Sequence, residues 1–154
     1  LVGHVTEADQ LVASMQTEID AAVAAVVAPA TPLSYYYELD DTYYSVTSNS
    51  FIGQLFNLFG LRNIADNAET GNDYPQLSAE AIVSSNPDII VLADTKCCAQ
   101  TAETVAARDG WGGMAAVVAG NIALLDDDIA SRWGPRIVEL VVAIGEAITK
   151  ASAK

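Results

Sequence analysis

Basic residues are scarce in this chain: 7 Lys and Arg stand against 20 Asp and Glu, for a formal net charge of −13. A surface of that sign repels phosphate backbones and anionic headgroups, which argues against nucleic acid and acidic membrane surfaces as direct partners. Histidine is rarer still, with His4 alone near the N-terminus. No G-x-S-x-G elbow and no phosphate-binding P-loop occurs, so two common signatures of catalysis are missing. No uninterrupted apolar run approaches the roughly 20 residues that span a bilayer. No secretory leader is visible, and the sequence begins at Leu1 rather than Met. Cysteine occurs as one adjacent pair, Cys97 and Cys98. With no histidine or further cysteine nearby, the pair lacks the ligand set of a zinc site. A local disulfide, two reduced thiols, and a redox or ligand-contacting role all stay open for it.

Apolar residues, by contrast, are plentiful. They make up 51% of the 154 positions against 18% charged, a balance that gives one domain with a real core. Helix and strand patterns alternate along it. Thr6-Glu7-Ala8-Asp9 reads as a capping-box-like start, and Leu11, Met15, Ile19, Val23 and Val26 follow at helical spacing until Pro29. Such a helix, of about 20 residues, spans roughly 30 Å. Residues 33–39, with Tyr35, Tyr36 and Tyr37, read as a strand, and 40–45 as a polar, aromatic loop. Asn49 or a flanking serine opens a helix striped with Phe51, Ile52, Leu55, Leu58 and Phe59 and capped by Gly60. Residues 61–72 read as irregular.

Ser78 caps a short helix with Glu80 in its first turn. Asn86-Pro87-Asp88 stops it, and 89–93 form a continuous apolar run, the pattern of a strand buried on both faces. Thr101 caps another helix with Val105 inside, and Gly110-Trp111-Gly112-Gly113 breaks it. Residues 122–125 form a further strand and 126–133 a loop. Gly134-Pro135 opens the last helix, with Val138, Val141, Ile144 and Ile148 on its buried face. The alternation calls for an α/β fold, a three-layer sandwich with a mainly parallel central sheet.

In open parallel sheets ligands bind outside the carboxyl ends of the strands. Loops 40–45, 94–98 and 126–133 therefore converge, joined by the segment around Tyr74. They bring Tyr43, Tyr44, Tyr74, Arg132 and Trp133, and aromatic faces with one guanidinium suit a large planar or anionic ligand. The competing reading packs each aromatic on a loop surface and pairs Arg132 with Asp126-Asp127-Asp128. That acidic run lacks the alternating ligands, central glycine and distal glutamate of a calcium loop, so no metal site is assigned. No carboxylate pair is aimed at a common substrate, and no catalytic residue is assigned either.

Three blocks carry a resemblance. Tyr74-Pro75-Gln76-Leu77-Ser78-Ala79-Glu80, with the helix, Asn86-Pro87-Asp88 and the strand behind it, is one. Gly110-Trp111-Gly112-Gly113-Met114 through Gly120-Asn121-Ile122 and Asp128-Ile129-Ala130-Ser131-Arg132-Trp133-Gly134-Pro135-Arg136 are the others. In this order, over roughly residues 5–150, they resemble the C-terminal lobe of class III substrate-binding proteins, the receptors for cobalamin, ferric siderophores and haem that serve ABC importers. The resemblance implies an interlobe helix at 1–30 and a substrate-binding lobe at 31–154. It implies a ligand clamped between this lobe and an N-terminal one, with no intrinsic cofactor. Tyr74, Arg132 and one of Tyr43 or Tyr44, beside Trp133, would face that ligand. Glu80 would pair with arginines on the permease's membrane subunits, although helix-dipole stabilisation accounts for a carboxylate there equally well. A first lobe, an export signal and any lipid anchor would lie upstream of Leu1, placing the protein outside the cytoplasm, periplasmic or as a cell-surface lipoprotein. The rival readings are an enzyme on a similar scaffold and a stand-alone interaction module using its acidic face.

Overall fold

The structure, a computed structural model, describes residues 3–68, 71–131 and 134–153. Four parallel strands form the centre: β1 (Ser34–Glu38), β2 (Arg62–Asn63), β3 (Ile89–Leu92) and β4 (Ile122–Leu124), in the order β2-β1-β3-β4. β1 and β3 are the two inner strands. Tyr35 pairs with Ile89, Tyr36 with Ile90, Tyr37 with Val91 and Glu38 with Leu92.

That register and the two-residue period of a strand decide which layer each side chain enters. Tyr35, Tyr37, Ile89 and Val91 face α2 (Phe51–Asn57) and α7 (Ile137–Ser152), where Phe56, Leu140, Val141, Ile144 and Ile148 bury with them. Tyr35 stacks on Phe56 with ring centroids 4.2 Å apart. Tyr36, Ile90 and Leu92 face the opposite layer: α3 (Ala79–Ser85), α4 (Ala102–Ala106), the 3-10 turn Trp111–Gly113 and α5 (Ala115–Ala119). Ile82, Val105, Trp111 and Met114 close that side. Each such fully buried aliphatic or aromatic side chain contributes roughly 1.5–3 kcal/mol. The three-layer α/β sandwich expected from the alternation is therefore the fold.

α1 (Val5–Ala24) lies outside both layers. None of its residues is fully buried; Met15, Ile19, Ala22 and Val23, with Val26 just beyond it, pack half-buried against the α2–α7 layer.

Several boundaries depart from the sequence expectation. Thr6 does not cap α1, which begins at Val5 after His4 with no side-chain cap bond. The 61–72 stretch contains β2 and a 3-10 turn at Ile64–Asn67. Residues 127–131 are not loop but α6 (Asp127–Ser131), because Asp126 Oδ1 accepts from the Asp128 amide at 2.9 Å and so turns the chain. Pro135 is not the first residue of the last helix, which begins at Ile137. Ser50, Ser78 and Thr101 do cap their helices, accepting from Gly53, Ala81 and Thr104 amides.

Candidate functional site

Because all four strands run the same way, their carboxyl ends share one edge, and the loops that follow β1, β3 and β4 meet there. Residues 40–47 fold back against 73–77. Leu39 N–H donates to Tyr44 O, Ser45 N–H to Pro75 O, Thr47 N–H to Asp73 O and Leu77 N–H to Tyr43 O, all at 2.9–3.0 Å. Tyr44 and Gln76 form an antiparallel bridge. Tyr44 and Tyr74 are each 40% exposed, so this folded-back pair presents two phenol rings to solvent.

Tyr43 is placed differently. Its ring stacks on Trp111 at 5.7 Å, and the Arg108 guanidinium lies 5.4 Å from the Tyr43 centroid and 4.5 Å from that of Trp111. Its backbone is left-handed, φ 69, a conformation that costs a non-glycine residue on the order of 1–3 kcal/mol. Bonds from Tyr43 N–H to Asp40 O and from Leu77 N–H to Tyr43 O hold it there.

Under this stack lies a buried charge cluster. Alternation sends Tyr36 and Glu38 of β1, and Leu92 followed by Asp94 after β3, to one face. Glu38 and Asp94 are both 0% exposed. Arg108, two residues past α4, donates from Nη1 to Glu38 Oε2 at 2.7 Å and from Nη2 to Glu38 Oε1 at 2.6 Å, with a further bond from Nη2 to Gln100 Oε1. A bidentate pair of this kind is the strong form of a charge-assisted hydrogen bond. Among the described residues Asp94 receives nothing comparable: neither of its carboxylate oxygens has a hydrogen-bond partner, and Tyr36 Oη has none either. Burial, reinforced by the Glu38 carboxylate, pushes the Asp94 carboxyl from 3.8 up to about 7.

Asp127 is the central tie between the loops after β3 and β4. Asp127 accepts from Thr95 Oγ1 at 2.8 Å, from Lys96 N–H at 3.0 Å and from Cys97 N–H at 2.9 Å. Partial burial works against this charge, but the Cys97 amide, the Thr95 hydroxyl and the Lys96 amide outweigh it and draw the carboxyl below its ordinary value. Lys96 Nζ reaches Asp126 at 2.8 Å and Asp128 at 3.3 Å, so a cation from the neighbouring loop pairs with the acidic run. These exposed pairs set loop position more than stability.

Cys97 and Cys98 are two free thiols rather than a disulfide. Bridging adjacent residues would close a strained eight-membered ring; the Lys96 and Cys97 amides here donate to Asp127. A hydrogen bond to Cys98, then burial and the neighbouring carboxylates, pushes the Cys97 thiol up, which makes it a poor nucleophile. Glu80 is exposed in the first turn of α3. Arg132 and Trp133 lie outside the described residues. Among the described residues no group of three or more His, Cys, Asp or Glu is arranged to hold a metal, and no helix is long and apolar enough to cross a membrane.

Glu38 and Arg108 thus organise this edge without having been singled out from the sequence, where Trp111 reads only as part of a helix break and Asp127 only as part of an acidic loop. The one local signal was Glu38, a charge closing an otherwise aromatic strand. A groove of about 590 Å³ also opens between the C-terminal halves of α1 and α7, lined by Ala22, Val26, Val142 and Gly145. It is apolar and carries none of the residues just described.

A family model described as periplasmic binding protein matches residues 1–129. An uncharacterized ABC transporter substrate-binding lipoprotein of Bacillus subtilis, YvrC, is 32% identical over 150 residues, which are 95% of this chain and 46% of that protein. A cobalamin-binding protein of Halobacterium salinarum is 31% identical over 151 residues, 96% of this chain and 40% of its own length. The chain therefore spans about half the length of the curated relatives it matches. Among solved structures, the periplasmic heme-binding protein RhuT of Roseiflexus sp. RS-1 superposes with a TM-score of 0.83 at 20% identity, covering 98% of this chain and 59% of that one. A possible iron-binding, periplasmic solute-binding protein of Staphylococcus epidermidis gives 0.80 at 23% identity, covering 93% and 55%. The parallel sheet, its loop edge and the family model agree: the chain belongs to the periplasmic binding protein family.

Proposed function

We propose that this chain is the C-terminal lobe of an extracytoplasmic substrate-binding protein, which clamps a ferric siderophore, haem or corrinoid against a second lobe and delivers it to an ABC permease. The observation that carries the reading is the carboxyl edge, where two exposed tyrosines, Tyr44 and Tyr74, stand on loops braced by a buried ion pair. Rigid aromatic faces held by such bracing suit a large flat ligand. Arg132 and Trp133 complete the ligand-facing set in this reading. The cobalamin-binding relative and the heme-binding neighbour support the ligand class.

α1 supports the two-lobe arrangement. Its first half leaves Val5 71%, Leu11 47% and Val12 65% exposed, which fits a helix running on to a second lobe. A helical connection would restrict closure to small motions. Glu80 would set docking register against basic residues of the permease, steering encounter rather than supplying most of the affinity.

One wall of a clamp leaves half of the ligand in water. Calorimetric titration of this chain with haem, a ferric siderophore and cobalamin is therefore expected to give weak binding; tight binding would overturn the two-lobe clamp. In the intact receptor, Glu80→Lys is expected to cut import roughly tenfold or more while leaving ligand affinity unchanged. Unaltered import would remove Glu80 from the docking surface.

A further inference from the structure

We propose that Asp94 and Glu38 form a proton-binding site at the carboxyl edge of the sheet, in which a neutral Asp94 donates its proton to Glu38 and thereby steadies the 94–100 loop. Three observations carry this. Both carboxyl groups are 0% exposed and come from hydrogen-bonded neighbouring strands, with Ala93 N–H donating to Glu38 O at 2.9 Å. Both Glu38 oxygens are occupied by Arg108, whereas both Asp94 oxygens are buried with no hydrogen-bond partner among the described residues. The two side chains lie within interaction range of each other; two ionised carboxylates repel, so they join by a hydrogen bond only when one of them carries a proton. Asp94, for which burial and the Glu38 carboxylate outweigh Arg108 and its own backbone amide, is the group that takes it.

Among the described residues the charges around Asp94 are few. β1 contributes Tyr36, Tyr37 and Glu38; Arg108 comes from beyond α4; Cys97 lies on the same loop, and Asp127 of α6 acts on Tyr37 and Cys97. Arg108 is the single positive group in this set, and its two Nη atoms already serve Glu38. The loop rests on Asp94 directly, because Cys98 and Gln100 N–H groups donate to the Asp94 carbonyl at 3.2 and 3.4 Å. A change of charge on the side chain therefore acts at the root of the segment that carries Cys97 and Cys98.

The sign follows from linkage. A carboxyl raised from 3.8 to about 7 in the folded state holds its proton more tightly folded than unfolded. Its stabilising contribution is complete at acidic pH below the unfolded value and is lost as pH rises through the folded one. Asp94→Asn keeps the shape and removes the titration. Across pH 4–8 the variant is expected to gain on the wild-type chain as pH rises, by up to about a thousandfold in the folding equilibrium constant, and to hold that lead above pH 8. Amide exchange at Cys98 and Gln100 should quicken with pH beyond the intrinsic rate in wild type but not in Asp94→Asn. The side-chain carboxyl carbon of Asp94, followed by NMR in the wild-type chain, should titrate near 7. Titration in the ordinary carboxylate range, or equal pH dependence of the two proteins, would overturn the proposal. The wild-type NMR titration decides the matter even if Asp94→Asn folds poorly.

Discussion

Arg108→Met is expected to destabilise the fold by about 3–5 kcal/mol at neutral pH, the cost of leaving a buried charge without its partner. Arg108 is the bidentate partner of Glu38, a residue with no exposure at all. Methionine keeps much of the stem volume and its contact with the Tyr43 and Trp111 rings, so the loss isolates the charge. A double-mutant cycle separates the pair from the packing. Glu38→Gln in the Arg108→Met background removes the stranded carboxylate, and the double variant is expected to recover about 1–3 kcal/mol relative to additivity. Urea denaturation of the four proteins measures it. Additive losses would show that Glu38 and Arg108 are not coupled, and the bracing of the Tyr43 turn would need another source.

The ion pair also shows where local reading stops. Glu38 and Arg108 are 70 residues apart, and nothing near either position announces the other. What brings them together is the packing of α4 and the turn after it onto the face of β1 and β3, which appears only once those strands are paired. The central strands were legible because a continuous apolar run and three consecutive tyrosines are hard to satisfy outside a buried sheet. The helix caps at Ser78 and Thr101 were legible for a similar local reason: a hydroxyl and the free amides it serves lie within three residues.

Short elements were not. β2 has two residues and exists because Leu33 O and the Ser34–Arg62 register give it a partner. α5 is a five-residue Ala-Ala-Val-Val-Ala turn without a polar face to give it a period, and Gly120 with φ 67 ends it. α6 hides in an acidic run whose own side chain starts the helix. Tyr44 and Tyr74 were expected at the carboxyl edge, where they lie, because the rule about strand ends is topological and survives errors in boundaries. Tyr43, one residue away, was not separable from Tyr44 by sequence. The left-handed backbone at Tyr43 turns its ring onto Trp111 while Tyr44 stays 40% exposed.

Gly53→Ala is expected to reverse the usual sign of a glycine-to-alanine change in a helix. Such a substitution ordinarily stabilises by about 0.5–1 kcal/mol, because glycine has more freedom to lose. Here a methyl group would run into the Thr47 carbonyl oxygen and stand 2.7 Å from Ser48 Cα. Those are backbone atoms with nowhere to go. The Thr47 carbonyl accepts from Ser50 N–H at 3.1 Å and from Ser50 Oγ at 2.7 Å, while the same Oγ accepts from Gly53 N–H at 3.0 Å. Relief therefore requires the N-terminal cap of α2 to open or the helix to lift from the sheet, and lifting would separate Phe56 from Tyr35 and Tyr37. Overpacking against fixed neighbours costs typically 1–3 kcal/mol and more when a helix must move, so a net loss of about 3 kcal/mol is expected by urea denaturation. A variant as stable as the parent would mean that the 47–50 turn does not wrap over α2 as described. A loss confined to α2, with amide exchange faster there but unchanged in β3, would localise the strain to the cap, whereas faster exchange in both would show that α2 anchors the sheet through the stacked Tyr35–Phe56 pair.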